Sequence, residues 1–551
     1  MVDSDGDGAE STPGPRSGRA RRLVAAAFRF APPAAWTITG LYVGTLLVWS
    51  VLMPTFRAPD EALHADLAHR VSEDQSYPAW DEADTSPGVL RALSLVKYHI
   101  PRSSSHLLAS EALPRGERPS FEDIDAPSDS VAINQIAQHP PLYYLATGTA
   151  EWTVERLTGD LPFDREVWVY RLVSIAFVAP LPLVIWRIGK HLGLPAPVSL
   201  AAMLMPLAVP QFTHIGSAVN NDSLLLLAFW ASTPVIVRLG RGDLATRTAL
   251  LAGFLTGVGA FTKLMALALP VWVAAALLVA LRRGGRERLG EVVRAGAIYG
   301  GTAFVVGGWW WLRNLILYRE LAPSRFGQIL PPLQNFDVDP GEFLQRWGYT
   351  TTRRFWGDFG LFDTHLPAIA FGTATLIVVA AIAVCLLRRD RVAGTPVGDR
   401  LLLAGPLVLL VGGQFVSAFR AYQTSGHFPG LQGRYWFGAL AATAVVVALG
   451  LANVVGPLLR RLPLMMLVFA GAMQLAGIRT VMYHFWGAAS TPFSERLDAL
   501  TAWSTFPTWA LAAGAIAVVL VGLATATQLA LLPRIPSASS SSSGDAPAPA
   551  T

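Results

Sequence analysis

Asp60, Glu61 and His64 stand close together in the stretch Arg57-Ala-Pro-Asp-Glu-Ala-Leu-His64. Paired carboxylates beside an imidazole can act as a general base, bind a divalent cation, or do both. Asp60 and His64 are one helical turn apart and share an adjacent face. Pro59 suits the first turn of a helix, and Asp60 and Glu61 complement its positive end, so plain N-terminal capping is the competing reading. Seven positions separate Asp60 from Met53, the end of an apolar run. Even an extended chain then keeps it within ~25 Å of a bilayer edge, where a lipid headgroup can reach it.

Other candidates follow along the chain. Gln138-His139-Pro-Pro-Leu-Tyr143-Tyr144 opens a short helix ending near Arg156. His139 and Tyr143 are read as a second wall of the same site, against the alternative of an interfacial helix with an aromatic anchor. Asp222 follows Asn220-Asn221 at the start of an apolar run, where capping competes with function. Lys263 interrupts an apolar hairpin. A cation at the bilayer centre costs at least ~2.5–3.5 kcal/mol, so Lys263 is expected at the interface or paired with an anion. Arg479 invites the same reading, with snorkelling as the alternative. Arg313 ends the Trp309-Trp-Trp-Leu-Arg313-Asn314 stretch, and Arg353, Trp356 and Asp358 fall in one aromatic-rich segment. Sugar rings stack on aromatic faces, and arginines fork onto phosphates. In Leu431-Gln-Gly433-Arg434-Tyr435, the glycine is read as leaving room for a headgroup, with Arg434 at the lipid-phosphate level and Tyr435 as an anchor.

These residues need elements to hold them, and the composition says which. Of 551 residues, 52% are hydrophobic and 15% charged, with the apolar ones in long blocks. That pattern predicts an all-α polytopic membrane protein and excludes a soluble enzyme, a disordered chain and a nucleic-acid-binding domain. The net charge of +5 comes without a basic cluster interleaved with stacking aromatics. Three lysines against forty arginines point to a GC-rich, bacterial genome, and the lone Cys385 excludes an intrachain disulfide.

About twelve spans are expected, near 36–53, 167–188, 195–214, 222–238, 246–262, 264–281, 293–313, 366–387, 401–419, 435–456, 462–483 and 508–532. The first, after a basic start, is read as a retained signal anchor. With both termini cytoplasmic, every short loop assigned inside is basic, as the positive-inside rule asks. Residues 1–30 are expected to be a disordered basic N-terminus, 31–533 the transmembrane domain and 534–551 a disordered Ser/Ala/Pro tail. The frame places a large loop, 57–166, and a second, 314–365, outside the membrane. The first carries short interfacial helices, 19 acidic residues and nine Lys or Arg. Its one-sided polarity puts any chemistry on the outer face.

In this order, the motifs resemble the GT-C superfamily of membrane glycosyltransferases. More closely they resemble a bacterial family of predicted membrane proteins of unknown function (DUF2142-like). The matching pieces are Pro59-Asp60-Glu61 with His64, His139-Pro-Pro-Leu-Tyr-Tyr144, Asn221-Asp222, Lys263, Arg313-Asn314, Phe355-Trp-Gly-Asp-Phe-Gly360 and Gln432-Gly-Arg-Tyr435, across about residues 36–485. The resemblance implies an inverting transferase taking a sugar from a polyprenyl-phosphate donor to an envelope glycan, lipid or protein. Asp60 would be the base, with Glu61 and His64 beside it. A divalent cation, Mg²⁺ or Mn²⁺, would have Asp60 and Glu61 as ligands, although Asp-Glu departs from the superfamily's Asp-x-Asp and Glu-x-Asp patterns. A transporter or flippase of a lipid-linked precursor and a non-catalytic envelope scaffold are the rival functions. The chain shows no internal repeat of the kind many transporters carry.

Overall fold

The computed structural model describes residues 30–98, 106–124 and 132–533. The two terminal segments expected to be disordered lie outside the described residues, apart from Phe30. The protein is all-α, and each expected span is helical. Helix α1 (Pro33–Leu52) leads into the first loop, which carries α2 (Glu61–Asp74), α3 (Pro87–Leu95) and α4 (Leu142–Thr158). The chain returns as α5 (Phe163–Val178) and α6 (Leu181–Leu192), broken at Pro180, then α7 (Ala196–Met203) and α8 (Pro210–Gly216). Next come α9 (Asp222–Gly240), α10 (Thr246–Ala260), α11 (Ala268–Gly284), α12 (Leu289–Ala303) and α13 (Trp309–Tyr318). The second loop holds α14 (Pro340–Trp356) and a two-residue hairpin, β1 (Asp358–Phe359) with β2 (Thr364–His365). Helices α15 (Ala368–Leu387), α16 (Val397–Ser425), α17 (Leu440–Val455), α18 (Leu462–Phe485), α19 (Phe493–Trp503) and α20 (Thr508–Ala530) complete the chain.

Among the described residues, nine helical segments are long and apolar enough to cross a membrane, or ten if the bent pair α7–α8 is one span. The expected twelve differ for two reasons. Helix α10 has only 15 residues, and the single apolar segment Gly433–Phe485 contains both α17 and α18. The 72° bend between α7 and α8 falls where Pro206 and Pro210 each remove a backbone N–H. All of α8 is buried, so protein rather than lipid surrounds the broken backbone.

Helix α9 is central, with 78% of its apolar window buried, against 6% for α20 at the periphery. The basic connections collect at one end of the bundle. Asp399, 1% exposed, accepts hydrogen bonds from Arg241 and Arg283. Arg288 donates to the Gly242 carbonyl, and Arg400 to the Arg388 carbonyl. This gathering is what the expected charge pattern of the connections requires.

The opposite end carries the long loops. The first loop builds its own small core from Phe56, Leu67, Val71, Phe121, Tyr143 and Tyr144, continuous with Val219 and Leu224 of the bundle. Leu67 and Val71 of α2, one helical turn apart, therefore pack on other helices. Gly148 lets α4 lie against α2, because a Cβ there would sit 2.6 Å from the Ala68 carbonyl oxygen. Arg118 ties the loop to the segment before α20, donating to Asp164 at 2.5 Å and to the Ala502 carbonyl at 2.7 Å.

The junction of loop and bundle rests on Arg171 of α5. Its Nε and Nη2 donate to the two oxygens of Glu61, at 2.8 and 2.7 Å. The remaining donors reach the carbonyls of Ser50, Met53 and Pro54. Glu61 also accepts the Val219 amide at 3.1 Å and is 0% exposed. Removing one member of such a buried pair strands the other's charge and typically costs about 3–5 kcal/mol. Glu61→Ala should therefore lower the thermal midpoint in detergent sharply. Glu342→Ala breaks an exposed pair with Arg346 and should cost less than about 1 kcal/mol. Equal effects of the two would refute the clamp.

Candidate active site

Helix α2 begins at Glu61, and Asp60 before it is left-handed, with φ 63° and ψ 6°. Aspartate tolerates that region better than most residues, yet the conformation still costs of order 1 kcal/mol. The Asp60 side chain makes no capping bond to the helix, so the capping role weighed above is absent. Instead its Oδ2 accepts a hydrogen bond from Arg434 Nη2 at 2.8 Å.

Arg434 opens a 3₁₀ segment, Gly433–Ala439, and faces a second carboxylate, with Nε 3.8 Å from Asp222 Oδ2. Asp222 starts α9 and accepts from Lys263 Nζ at 2.6 Å. Lys263 lies in the extended turn after α10 and also donates to Asn221 Oδ1 at 3.1 Å. Its ammonium thus has the anionic partner expected of it. Both cations lie near the Tyr435 ring, at 5.8 Å for Lys263 and 5.9 Å for Arg434. Two anions and two cations therefore close a charge-balanced cluster at the loop-bearing end.

Exposure divides the roles within this cluster. The side chains of Arg434 and Asp222 are 5% exposed and that of Lys263 9%, whereas Asp60 is 30% exposed. Among the described residues, Arg434 Nε and Nη1 and Asp222 Oδ2 have no hydrogen-bond partner. Buried donors left empty on a guanidinium are costly, at about 1–3 kcal/mol each, and they suit an incoming anion. Gly433 serves a different purpose from the one expected. A Cβ there would come within 2.2 Å of the Phe355 amide nitrogen and 2.4 Å of the Thr351 carbonyl oxygen. The glycine admits the backbone of α14 and leaves no space for a headgroup.

His64 and His139 line the same region. His64 Nδ1 is 2.8 Å from the Tyr144 hydroxyl, Tyr144 stacks on Tyr77, and the Tyr77 hydroxyl donates to the His139 carbonyl. Burial pushes both imidazoles well below the usual histidine range, and the Lys263 charge pushes them further. Both are therefore neutral near pH 7 and can carry hydrogen bonds without adding charge.

Several expected site residues lie elsewhere. Glu61 turns away into the Arg171 clamp. Tyr143 bonds Ser174 Oγ at 2.7 Å and fixes α4 to α5, so Tyr144 takes the place beside His64. Arg313 stacks on Trp310 and Tyr318 in a neighbouring small cavity that shares Tyr77 as a wall. Arg353 and Arg354 both donate to Asp358, which is 0% exposed. Trp356 is core, 2% exposed, its indole N–H bonded to Thr375. Trp356 therefore braces the site and offers no open face to a sugar. Arg354, the second arginine of that aromatic-rich segment and not among the expected site residues, holds the Leu431 carbonyl at 3.0 Å, just before Arg434. Arg479 lies 5.1 Å from the Tyr483 ring centre.

Asp60 and Glu61 do not fit the divalent cation expected of them. Both Glu61 oxygens are occupied by Arg171, and Asp60 already faces a guanidinium that would repel a metal ion.

A double-mutant cycle tests the cluster. Asp222→Asn leaves Lys263 and Arg434 buried together and should cost about 3–5 kcal/mol. Adding Lys263→Met should recover part of that loss in the thermal midpoint. Simple additivity would show that the two residues are not coupled.

Comparison with known proteins gives three results. No curated protein matches the chain. Among solved structures, ArnT from Cupriavidus metallidurans, bound to undecaprenyl phosphate, is 14% identical with a TM-score of 0.41, over 89% of this chain and 77% of that one. The oligosaccharyltransferase of Archaeoglobus fulgidus, tethered to an acceptor peptide, is 11% identical with a TM-score of 0.42, over 86% and 59%. The arabinosyltransferase EmbB of Mycobacterium smegmatis is 13% identical with a TM-score of 0.39, over 90% and 41%. The family described as "Predicted membrane protein (DUF2142)" matches residues 43–443. That match spans well over half of the chain, and the protein belongs to the DUF2142 family of membrane proteins.

Proposed function

We propose that this protein is an inverting membrane glycosyltransferase. It takes a sugar from a polyprenyl-phosphate donor to an envelope glycan, lipid or protein, on the outer face of a bacterial plasma membrane. The observation that carries this reading is Arg434. It is a buried guanidinium between two carboxylates, the accessible Asp60 and the buried Asp222, and its Nη1 has no hydrogen-bond partner among the described residues.

The donor phosphate would take the free N–H groups of Arg434 and draw on the charge of Lys263. A guanidinium forks onto phosphate in a way an ammonium cannot. By engaging Arg434, the phosphate weakens that residue's hold on Asp60. Asp60, the exposed member, then takes the proton from an acceptor hydroxyl as that oxygen attacks the anomeric carbon. The bond from this carbon to the phosphate oxygen breaks, and its electron pair leaves with polyprenyl phosphate. Arg434 and Lys263 stabilise the charge that develops there, in a setting with little water to screen it. His64 and His139, both neutral, are placed to hydrogen-bond sugar hydroxyls.

Asp60→Asn should reduce transfer at least about 100-fold, with membrane insertion kept. Arg434→Lys should reduce turnover more than donor affinity, because the phosphate gains charge as the bond breaks. Radiolabelled sugar transfer from a defined polyprenyl-phosphate donor measures both. Full activity in both variants would leave the site an anchor, in favour of a flippase or scaffold.

The topology has its own test. In a Cys385→Ala background, Ser94→Cys on the loop-borne α3 should label in intact cells with a membrane-impermeant maleimide. Labelling only after lysis would move the site to the other side.

A further inference from the structure

Helix α2 carries a second set of ionisable groups. His69 Nδ1 is 2.9 Å from Glu166 Oε1, and Glu166 is also bonded by the Tyr170 hydroxyl. A buried carboxylate on one ring nitrogen fixes the imidazole and turns the other nitrogen outward, as behind metal-binding histidines. That other nitrogen, Nε2, is 3.3 Å from Glu122 Oε1. Glu73 follows His69 by one helical turn, on the same face. The ligand atoms of His69, Glu73 and Glu122 all lie within 4.8 Å of one another. Ligands of one tetrahedral ion sit about 3.4 Å apart, and the exposed Glu73 and Glu122 can rotate to close that gap.

A separate observation points to a missing cation. Glu151 of α4 is 2% exposed, and its Oε2 has no hydrogen-bond partner among the described residues. Its carboxyl group lies near Ser72, Glu155, Glu166 and His69. Among the described residues, no lysine or arginine pairs with Glu73, Glu122, Glu151, Glu155 or Glu166. Five carboxylates thus surround one histidine.

We propose that His69, Glu73 and Glu122 bind one first-row divalent cation of the Mn²⁺–Zn²⁺ class, with Glu166 orienting the histidine from behind. Imidazole favours Zn²⁺ and carboxylates accept Mn²⁺, whereas Mg²⁺ prefers an all-oxygen shell. The ion pins the segment around Glu122 to α2 and α5, and so stiffens the loop that presents Asp60. It is a structural site, separate from the Asp60–Arg434 cluster and independent of the proposed transfer reaction.

The test uses the full chain in detergent, stripped with EDTA and titrated with ZnCl₂ by calorimetry, with MnCl₂ and MgCl₂ in parallel. One equivalent of Zn²⁺ should bind and raise the thermal midpoint, and Mg²⁺ should bind at least about tenfold more weakly. Glu73→Gln/Glu122→Gln replaces two exposed side chains, so its metal-free midpoint should match that of the unaltered protein. Its affinity should fall more than about 100-fold, beyond the loss that removing an orienting partner causes. Asp60→Asn should bind Zn²⁺ normally. No stoichiometric binding, or equal binding by the double variant, overturns the proposal. So does loss of the ion in Asp60→Asn alone.

Discussion

Arg171 has five N–H donors, and all five are used at the point where the chain leaves the bundle. Three carbonyls it takes, those of Ser50, Met53 and Pro54, lie at the end of α1, where a helix has no partners of its own. Its positive charge suits the negative end of that helix. Glu61 neutralises the guanidinium and in turn accepts the Val219 amide, which fixes the turn leading to Asn221 and Asp222. One buried side chain thus sets both the start of α2 and the start of α9. With little water at this depth, no solvent can replace any of these bonds, so the arrangement holds as a unit.

The placement of Asp60 follows from that clamp. With Glu61 drawn toward α5, the preceding residue takes a left-handed turn and its carboxylate crosses to Arg434. Strained backbone of this kind persists only where the surroundings over-determine it, and it gathers at functional sites. The cost is offset by an ion pair whose other members are nearly inaccessible. The cluster is neutral as it stands, yet it keeps empty donors on Arg434. It can accept an anion without first expelling one, and the accessible carboxylate is the group whose partner that anion would take.

The first loop is a folded module with two electrostatic halves. Near the membrane its charges are matched, at Arg171 with Glu61 and at Arg118 with Asp164. Around His69 they are not, and among the described residues no lysine or arginine pairs with the acids gathered there. Helix α2 joins the two regions, because it starts at the clamp and carries His69 and Glu73 about two and three turns later. Any restraint on its far end is therefore transmitted through a rigid helix to Asp60.

How much of this was legible in the sequence depends on the range of the interaction. Apolar blocks of bilayer length fix the spans locally, and their positions agree with the helices to within a few residues. Spacing and residue type were enough to single out Asp60, His64, His139, Asp222, Lys263, Arg434 and Tyr435, which the fold gathers from five separate stretches. Adjacency in sequence misled at Glu61 and Tyr143, because neighbours on a helix point about 100° apart and their partners lie on other elements. Gly433, Arg353, Trp356 and Asp358 could not be assigned alone. Their roles depend on how closely α14 passes, and no local pattern reports that distance. Arg171 and Arg354 looked like ordinary arginines, since their use of distant backbone carbonyls leaves no trace in spacing. The sequence determined which residues would sit at the membrane boundary. Only the tertiary structure decided which charge would face which, because pairing in a buried, water-poor site depends on distances that packing alone sets.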